Sequence, residues 1–260
     1  MRKALAMTAA LAAAMTTAGC VIVVGDDGET KMRYGEHSSG GYVTLDRDGD
    51  YSRIGGDINL RGRLGGDLSL VAGDVDADRL DVGGDVSIAA GDINYAGRVG
   101  GDASVAGGDI DWAADVGDEL SLAAGSLAVS GRIGGEASIA AADMNSRAVY
   151  THGLNANGND IHLAGSIAGP LKIVAVGEIR RRRDYHDDDG RVSLAGAIHD
   201  GGDICSRSVI IRSSARISGT LRVWAETEPQ IEAGAQAGNV VFVARDGRDC
   251  DDVDNVFDHS

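Results

Sequence analysis

Gly83-Gly84-Asp85-Val86-Ser87-Ile88 and Gly100-Gly101-Asp102-Ala103-Ser104-Val105 are one six-residue phrase written twice, and further copies flank them. Gly65-Gly66-Asp67-Leu68-Ser69-Leu70 precedes the pair. Gly117-Asp118-Glu119-Leu120-Ser121-Leu122 and Gly134-Gly135-Glu136-Ala137-Ser138-Ile139 follow it. The spacing between copies is 18 once and 17 thereafter. A fixed short period marks a stacked architecture, in which no repeat buries its own apolar face and each must lie on a neighbour.

Apolar positions then advance in steps of six, six and five: Val99, Val105, Ile110, Val116, Leu122, Leu127, Ile133, Ile139, Met144, Tyr150. A helix needs steps of three and four, so α structure is excluded here. Three apolar marks per period mean three short faces per turn. The expected fold is therefore all-β: a single-stranded parallel β-helix, a triangular solenoid of about 17 residues per coil. Corners must turn sharply, and the Gly columns at 65, 83, 100, 117, 134 and at 73, 91, 108, 125 are expected to supply positive φ there. Gly66, Gly84, Gly101 and Gly135, with Asp67, Asp85, Asp102, Glu119 and Glu136 beside them, form the expected turn columns.

The register continues past the clear copies. Ile167 stands two periods beyond Ile133, and Arg216 to Val223 matches Arg132 to Ile139 at nearly five periods. Residues 53–244 are thus expected to form the solenoid, in ten or eleven coils, with a charged loop inserted at 180–190. Residues 20–52 read as a tether of turn formers and charge, with only Gly41 to Leu45 strand-like. Residues 245–260 read as an acidic C-terminal cap or tail, since stacked repeats need a polar end.

Residues 1–19 read as a signal peptide: Arg2 and Lys3 are followed by an apolar run from Ala4 to Met15 too short to span a bilayer. Thr17-Ala18-Gly19-Cys20 resembles a bacterial lipobox, which implies lipidation of Cys20 and a membrane attachment through that anchor. Val21 rather than Asp after the Cys implies, by the sorting pattern of such lipoproteins, the outer membrane facing the periplasm. Ordinary signal cleavage near Cys20 is the other reading, and both export the chain. With Cys20 assigned to lipid, Cys205 and Cys250 remain as a pair for an expected disulfide in an oxidising compartment.

The cadence of Gly65 to Val75 and its copies, over roughly 54 to 244, resembles bactofilins, polymer-forming bacterial proteins built on a triangular right-handed β-helix. Ile133-Gly134-Gly135-Glu136-Ala137-Ser138 also resembles the unit of left-handed hexapeptide-repeat proteins. The two resemblances imply opposite hands, and handedness stays open.

The 260 residues carry a net charge of -16, with 39 Gly and 4% aromatics. The core must be narrow, and the acidic balance argues against nucleic acid as a partner. Asp74, Asp92, Asp109 and Asp143 form a second acidic column, broken by Ser126. Structural turn carboxylates are the expected reading, with calcium at Asp74, Asp92 and Asp109 as the lesser one. Asp46-Arg47-Asp48-Gly49-Asp50 half-suggests a calcium loop, but its Gly sits at the fourth place rather than the sixth, so a polar linker is expected. His186 among Asp187 to Asp189 reads as solvated. Tyr95 and Trp112 share a column and are expected to pack inside. His152, His162 and His199 have no evident catalytic partners, and no metal or cofactor is expected. The expected function is that of a non-enzymatic, lipid-anchored envelope scaffold that touches copies of itself or cell-wall polymer. The alternative is a carbohydrate-binding or carbohydrate-modifying module on the same rod.

Overall fold

The computed structural model describes residues 41–175, 190–246, 248 and 250. The expectations for 1–19, Cys20, the tether before Gly41, most of the 180–190 loop and 251–260 lie outside them. The described chain forms 23 strands in one continuous hydrogen-bonded sheet. Every pairing is parallel, as in Leu120↔Ala137 and Ala137↔Leu154.

One column shows the whole stack: Tyr51, Leu68, Val86, Ala103, Leu120, Ala137, Leu154, Leu171, Gly202, Leu221 and Val240 lie over one another in eleven rungs. Each rung carries three faces. In one coil these are Ala137 to Ala141, Asp143 to Ser146, and Val149–Tyr150. Along each face side chains alternate in and out with the pleat. Leu68 and Leu70 are buried, while Ser69 between them points out half-buried. Stacking the inward columns makes a narrow core of Leu, Ile, Val and Ala running the length of the prism, each large aliphatic side chain contributing about 1.5–3 kcal/mol on burial. Tyr95 and Trp112 lie within this core, fully buried, with ring centroids 4.5 Å apart and planes inclined by 15°.

Three expectations need correction. First, the solenoid begins before residue 53. The strand Val43–Arg47 pairs with Asp57–Leu64, and Tyr51–Ile54 pairs with Leu68–Val71. Asp48-Gly49-Asp50 make a coil corner, whose composition is that of a linker.

Second, the stretch from Arg132 to Arg216 spans four coils, not nearly five, through Val149, Ser166 and Ala197. One coil is lengthened between Leu171 and Gly202, with the strands Leu171–Ala175 and Arg191–Leu194 on either side of the added residues, and the next, from Gly202 to Leu221, also exceeds the period.

Third, neither repeating glycine column takes positive φ, and close approach accounts for the first. Gly83, Gly100, Gly117 and Gly134 lie outside the left-handed region. A Cβ on each would stand 2.5, 2.2, 2.1 and 2.0 Å from the carbonyl oxygen of the glycine one coil earlier. Corner backbones touch, and only a residue without a side chain fits. Left-handed φ occurs elsewhere, at Gly97 and Gly131, and at Arg79 where the register shifts between the first coils.

The two ends differ. At the first rung, Arg47 and Arg53 occupy columns that Leu64 and Leu70 fill one coil later, so charge blunts that end. At the last rung, Ala237, Val240 and Phe242 remain only half-buried and Ile231 is 53% exposed, because no described rung covers them.

Gly100→Ala should therefore cost about 1–3 kcal/mol by overpacking against Gly83, read as a lower urea midpoint. Ser104→Ala, on the outward side of the next strand, should stay within about 0.5 kcal/mol of the parent. Equal costs would contradict the close-approach account.

Candidate functional surfaces

The corner acids form a hydrogen-bonded ladder. The Oδ1 of Asp50 accepts from the Asp67 N–H, Asp67 from Asp85, Asp85 from Asp102 and Asp102 from Glu119, each at 2.9 Å. Glycine and acid work as a pair: a Cβ on Gly66, Gly84 or Gly101 would sit 2.2, 2.0 or 2.1 Å from the carboxylate oxygen of the coil before. The preceding Gly thus opens the path by which each Asp reaches the next backbone. Asp118 replaces that Gly in one coil, Gly135 resumes the column, and Glu136 ends the acidic series. Asp50 heads the ladder, and the sequence reading missed it by placing residue 50 in a linker. Asp115 makes the same kind of bond to the Arg132 N–H at 2.9 Å.

A second surface lies on the adjacent face. Asp57, Asp74, Asp92 and Asp109 stand in one outward column, and Asn59, Asp76, Asn94 and Asp111 in the next. Alternate places within each strand put both columns on one side of the sheet. That alternation was available in the sequence beside the Asp74, Asp92 and Asp109 column. Tyr42 closes over this face: its hydroxyl donates to Asp76, and the Arg61 guanidinium lies 5.7 Å from its ring centroid. The Asp76 carboxylate raises the Tyr42 phenol above its ordinary value.

Calcium needs six to eight oxygens at about 2.3–2.6 Å, whereas successive rungs stand about 4.8 Å apart. Among the described residues, no group of three or more His, Cys, Asp or Glu is placed to hold a metal ion.

Past Ser126 the same face changes character. Asp160 is followed in its column by Arg191, and Asn145 by His162 and Ser193. The Nε of Arg212 donates to Ser193 Oγ at 3.0 Å and its Nη1 to Glu232 Oε1 at 2.9 Å. Glu232 also accepts from the Ser213 N–H, and this bond, ahead of Arg212, holds its carboxyl below the usual range. Partial burial, then Arg212 and Arg147, lowers His162. His199 meets Ser166 Oγ at 3.2 Å and His152 meets Thr151 Oγ1 at 3.1 Å, both on exposed surface. Thr151 Oγ1 also donates to the Ile133 and Gly134 carbonyls, each at 2.8 Å, so its proton is committed to the backbone and not to His152.

A third face carries two uncharged columns from Ser52 to Ala140, beyond which Lys172, Asp203 and Arg222 enter it. Ser52, Ser69, Ser87, Ser104, Ser121 and Ser138 form one outward column beside Ile54, Val71, Ala89, Ala106, Ala123 and Ala140. Near the C-terminal end this aliphatic column continues through Val174, Cys205 and Trp224. Cys205 is joined to Cys250, with Cα atoms 5.7 Å apart. The described part of the 245–260 segment therefore runs along the flank rather than across the end of the stack.

No protein-family model, curated protein or solved structure matches this chain.

Asp85→Ala removes one ladder acceptor and should cost about 1 kcal/mol, with Asp85→Asn retaining most of that stability because the amide oxygen still accepts. For His162, the fold resists a proton that the unfolded chain takes up near the ordinary value of 6.5, so stability rises with pH through the window below that value and falls on acidification. His162→Asn should lessen the drop in melting temperature between about pH 7 and about pH 5. An unchanged pH profile would contradict that coupling.

Proposed function

We propose that this chain is a non-enzymatic scaffold of the bacterial cell envelope, exported, lipid-anchored at Cys20 on the outer membrane facing the periplasm, and self-associating through its coil ends. The observation that carries this reading is an in-register stack whose last described rung presents unpaired strand edges and half-covered apolar side chains. Such an edge offers the same backbone pairing that joins one rung to the next.

Charge favours that end for contact. Residues 41–130 hold 17 Asp and Glu against 6 Lys and Arg, while residues 190–246 hold 6 of each. Two rods meeting at their C-terminal rungs keep the acidic halves apart, whereas side-by-side contact of those halves sets like charges together. The acidic ladders then face outward along the rod as a regular surface for cell-wall polymer or other envelope components. Attachment draws support from the lipobox-like Thr17 to Cys20 alone. Stable anchoring needs more than one acyl chain, which bacterial lipoproteins carry. The carbohydrate-module alternative loses its stacked aromatics, since Tyr95 and Trp112 are sealed inside the prism.

Protein lacking residues 1–20 should form elongated assemblies that grow with concentration in light scattering and negative-stain images. Val240→Glu combined with Phe242→Glu should keep the β spectrum and remain monomeric. A monodisperse parent that scores in a glycan screen would overturn the scaffold reading. In cells, labelled palmitate should enter the parent and not Cys20→Ala; labelling of neither removes the anchor.

A further inference from the structure

We propose that the Cys205–Cys250 disulfide is a redox-operated clasp that covers and uncovers an apolar strip on the flank of the rod. The strip is the outward column Val174, Cys205, Trp224 and Val243. Outward residues of a β-helix normally face water, and in the same column at the other end Ile54 is 68% and Val71 42% exposed. Val174 and Trp224 are nonetheless each 8% exposed and Cys205 is sealed.

Cys250, in the chain's own C-terminal segment, packs into this strip with Val174, Cys205 and Trp224. After the last rung the Arg245 N–H bonds to the Ala225 carbonyl, and Asp246 turns the chain with φ 50. Cys250 then reaches Cys205, two rungs back along the stack, and is itself 1% exposed. Arg245 braces the return: its Nη1 donates to the Ser206 carbonyl at 3.1 Å and its Nε to the Arg248 carbonyl at 2.9 Å. Arg222 adds a guanidinium 5.6 Å from the Trp224 ring centroid.

Two features make this a clasp and not a part of the core. Val174, Cys205, Trp224 and Cys250 form an apolar cluster of their own, separate from the one that fills the prism. Arg248 and Cys250 belong to no strand, so no sheet ladder holds them to the flank. Inward neighbours at the same rungs, Ile173, Ile204 and Val223, stay fully buried by their own stacking. Opening the disulfide therefore releases Cys250 from the strip while the sheet stands.

The chemistry is thiol–disulfide exchange with a dithiol reductant. Two electrons and two protons from the dithiol convert the S–S bond into the Cys205 and Cys250 thiols, and the reductant closes to its own disulfide. Release leaves Val174, Cys205 and Trp224 open beside Val241 and Val243, which are already exposed at 40% and 36%. A strip of that kind meets other apolar surfaces only in the reduced protein. This inference is independent of association through the coil ends.

The test uses protein lacking residues 1–20 and excess dithiothreitol in native buffer. Expected are two titratable thiols, a red shift and increased iodide quenching of tryptophan emission, more dye binding to apolar surface, and an unchanged β-type circular-dichroism spectrum. The emission change should vanish in Trp224→Phe, because Trp112 is sealed in the core. Cys250→Ser should show the open signature without reductant. Three results would overturn the proposal: no thiols under native conditions, thiols without any change at Trp224, or loss of the β spectrum on reduction, which would make the bond a staple of the fold.

Discussion

Parallel strands one coil apart must satisfy each other's backbone, since a coil of about 17 residues has no partner within itself for its N–H and C=O groups. In this chain such bonds run to the residue just before the counterpart on the previous rung, as from the Gly100 N–H to the Val82 carbonyl and from the Gly117 N–H to the Val99 carbonyl. Once that register is set, like residues stand over like residues everywhere. Leu and Ile columns become a core, Asp columns become ladders, and corner backbones come so close that Gly alone is tolerated.

The same constraint explains how a chain with net charge -16 tolerates stacked carboxylates. Each corner Asp from Asp50 to Asp102 bonds to the backbone N–H of the next coil, so the like-charge cost at one-rung spacing is offset by a charge-assisted bond at every step. The acidic half is thereby a stiff surface with fixed spacing, whereas residues 190–246 hold as many basic as acidic side chains and are joined on their flank to Cys250. In the proposed scaffold the acidic spacer and the contact end are separated along the stack.

What the sequence made legible follows from period alone. The all-β stack, the inward columns, the burial of Tyr95 and Trp112 and the Asp67 to Glu136 column all come from laying copies beneath one another. What it hid depends on contacts that period does not encode. The first coil was invisible because Asp46 to Asp50 has the composition of both a corner and a linker. The role of Gly83, Gly100, Gly117 and Gly134 was misassigned because close approach and positive φ select the same residue. The return of Arg245 to Cys250 along the flank breaks the repeat, and the expected Cys205–Cys250 pair named its end point but not its course.

Register is the claim from which the rest is built, and spin labelling reads it directly. Nitroxides on Ser69→Cys, Ser87→Cys and Ser104→Cys together, in protein beginning at Val21, stand in one outward column about 4.8 Å apart per rung. The account requires their electron paramagnetic resonance spectrum to collapse toward a single exchange-narrowed line while each single label keeps three. Three resolved lines in the triple-labelled protein would contradict the stack.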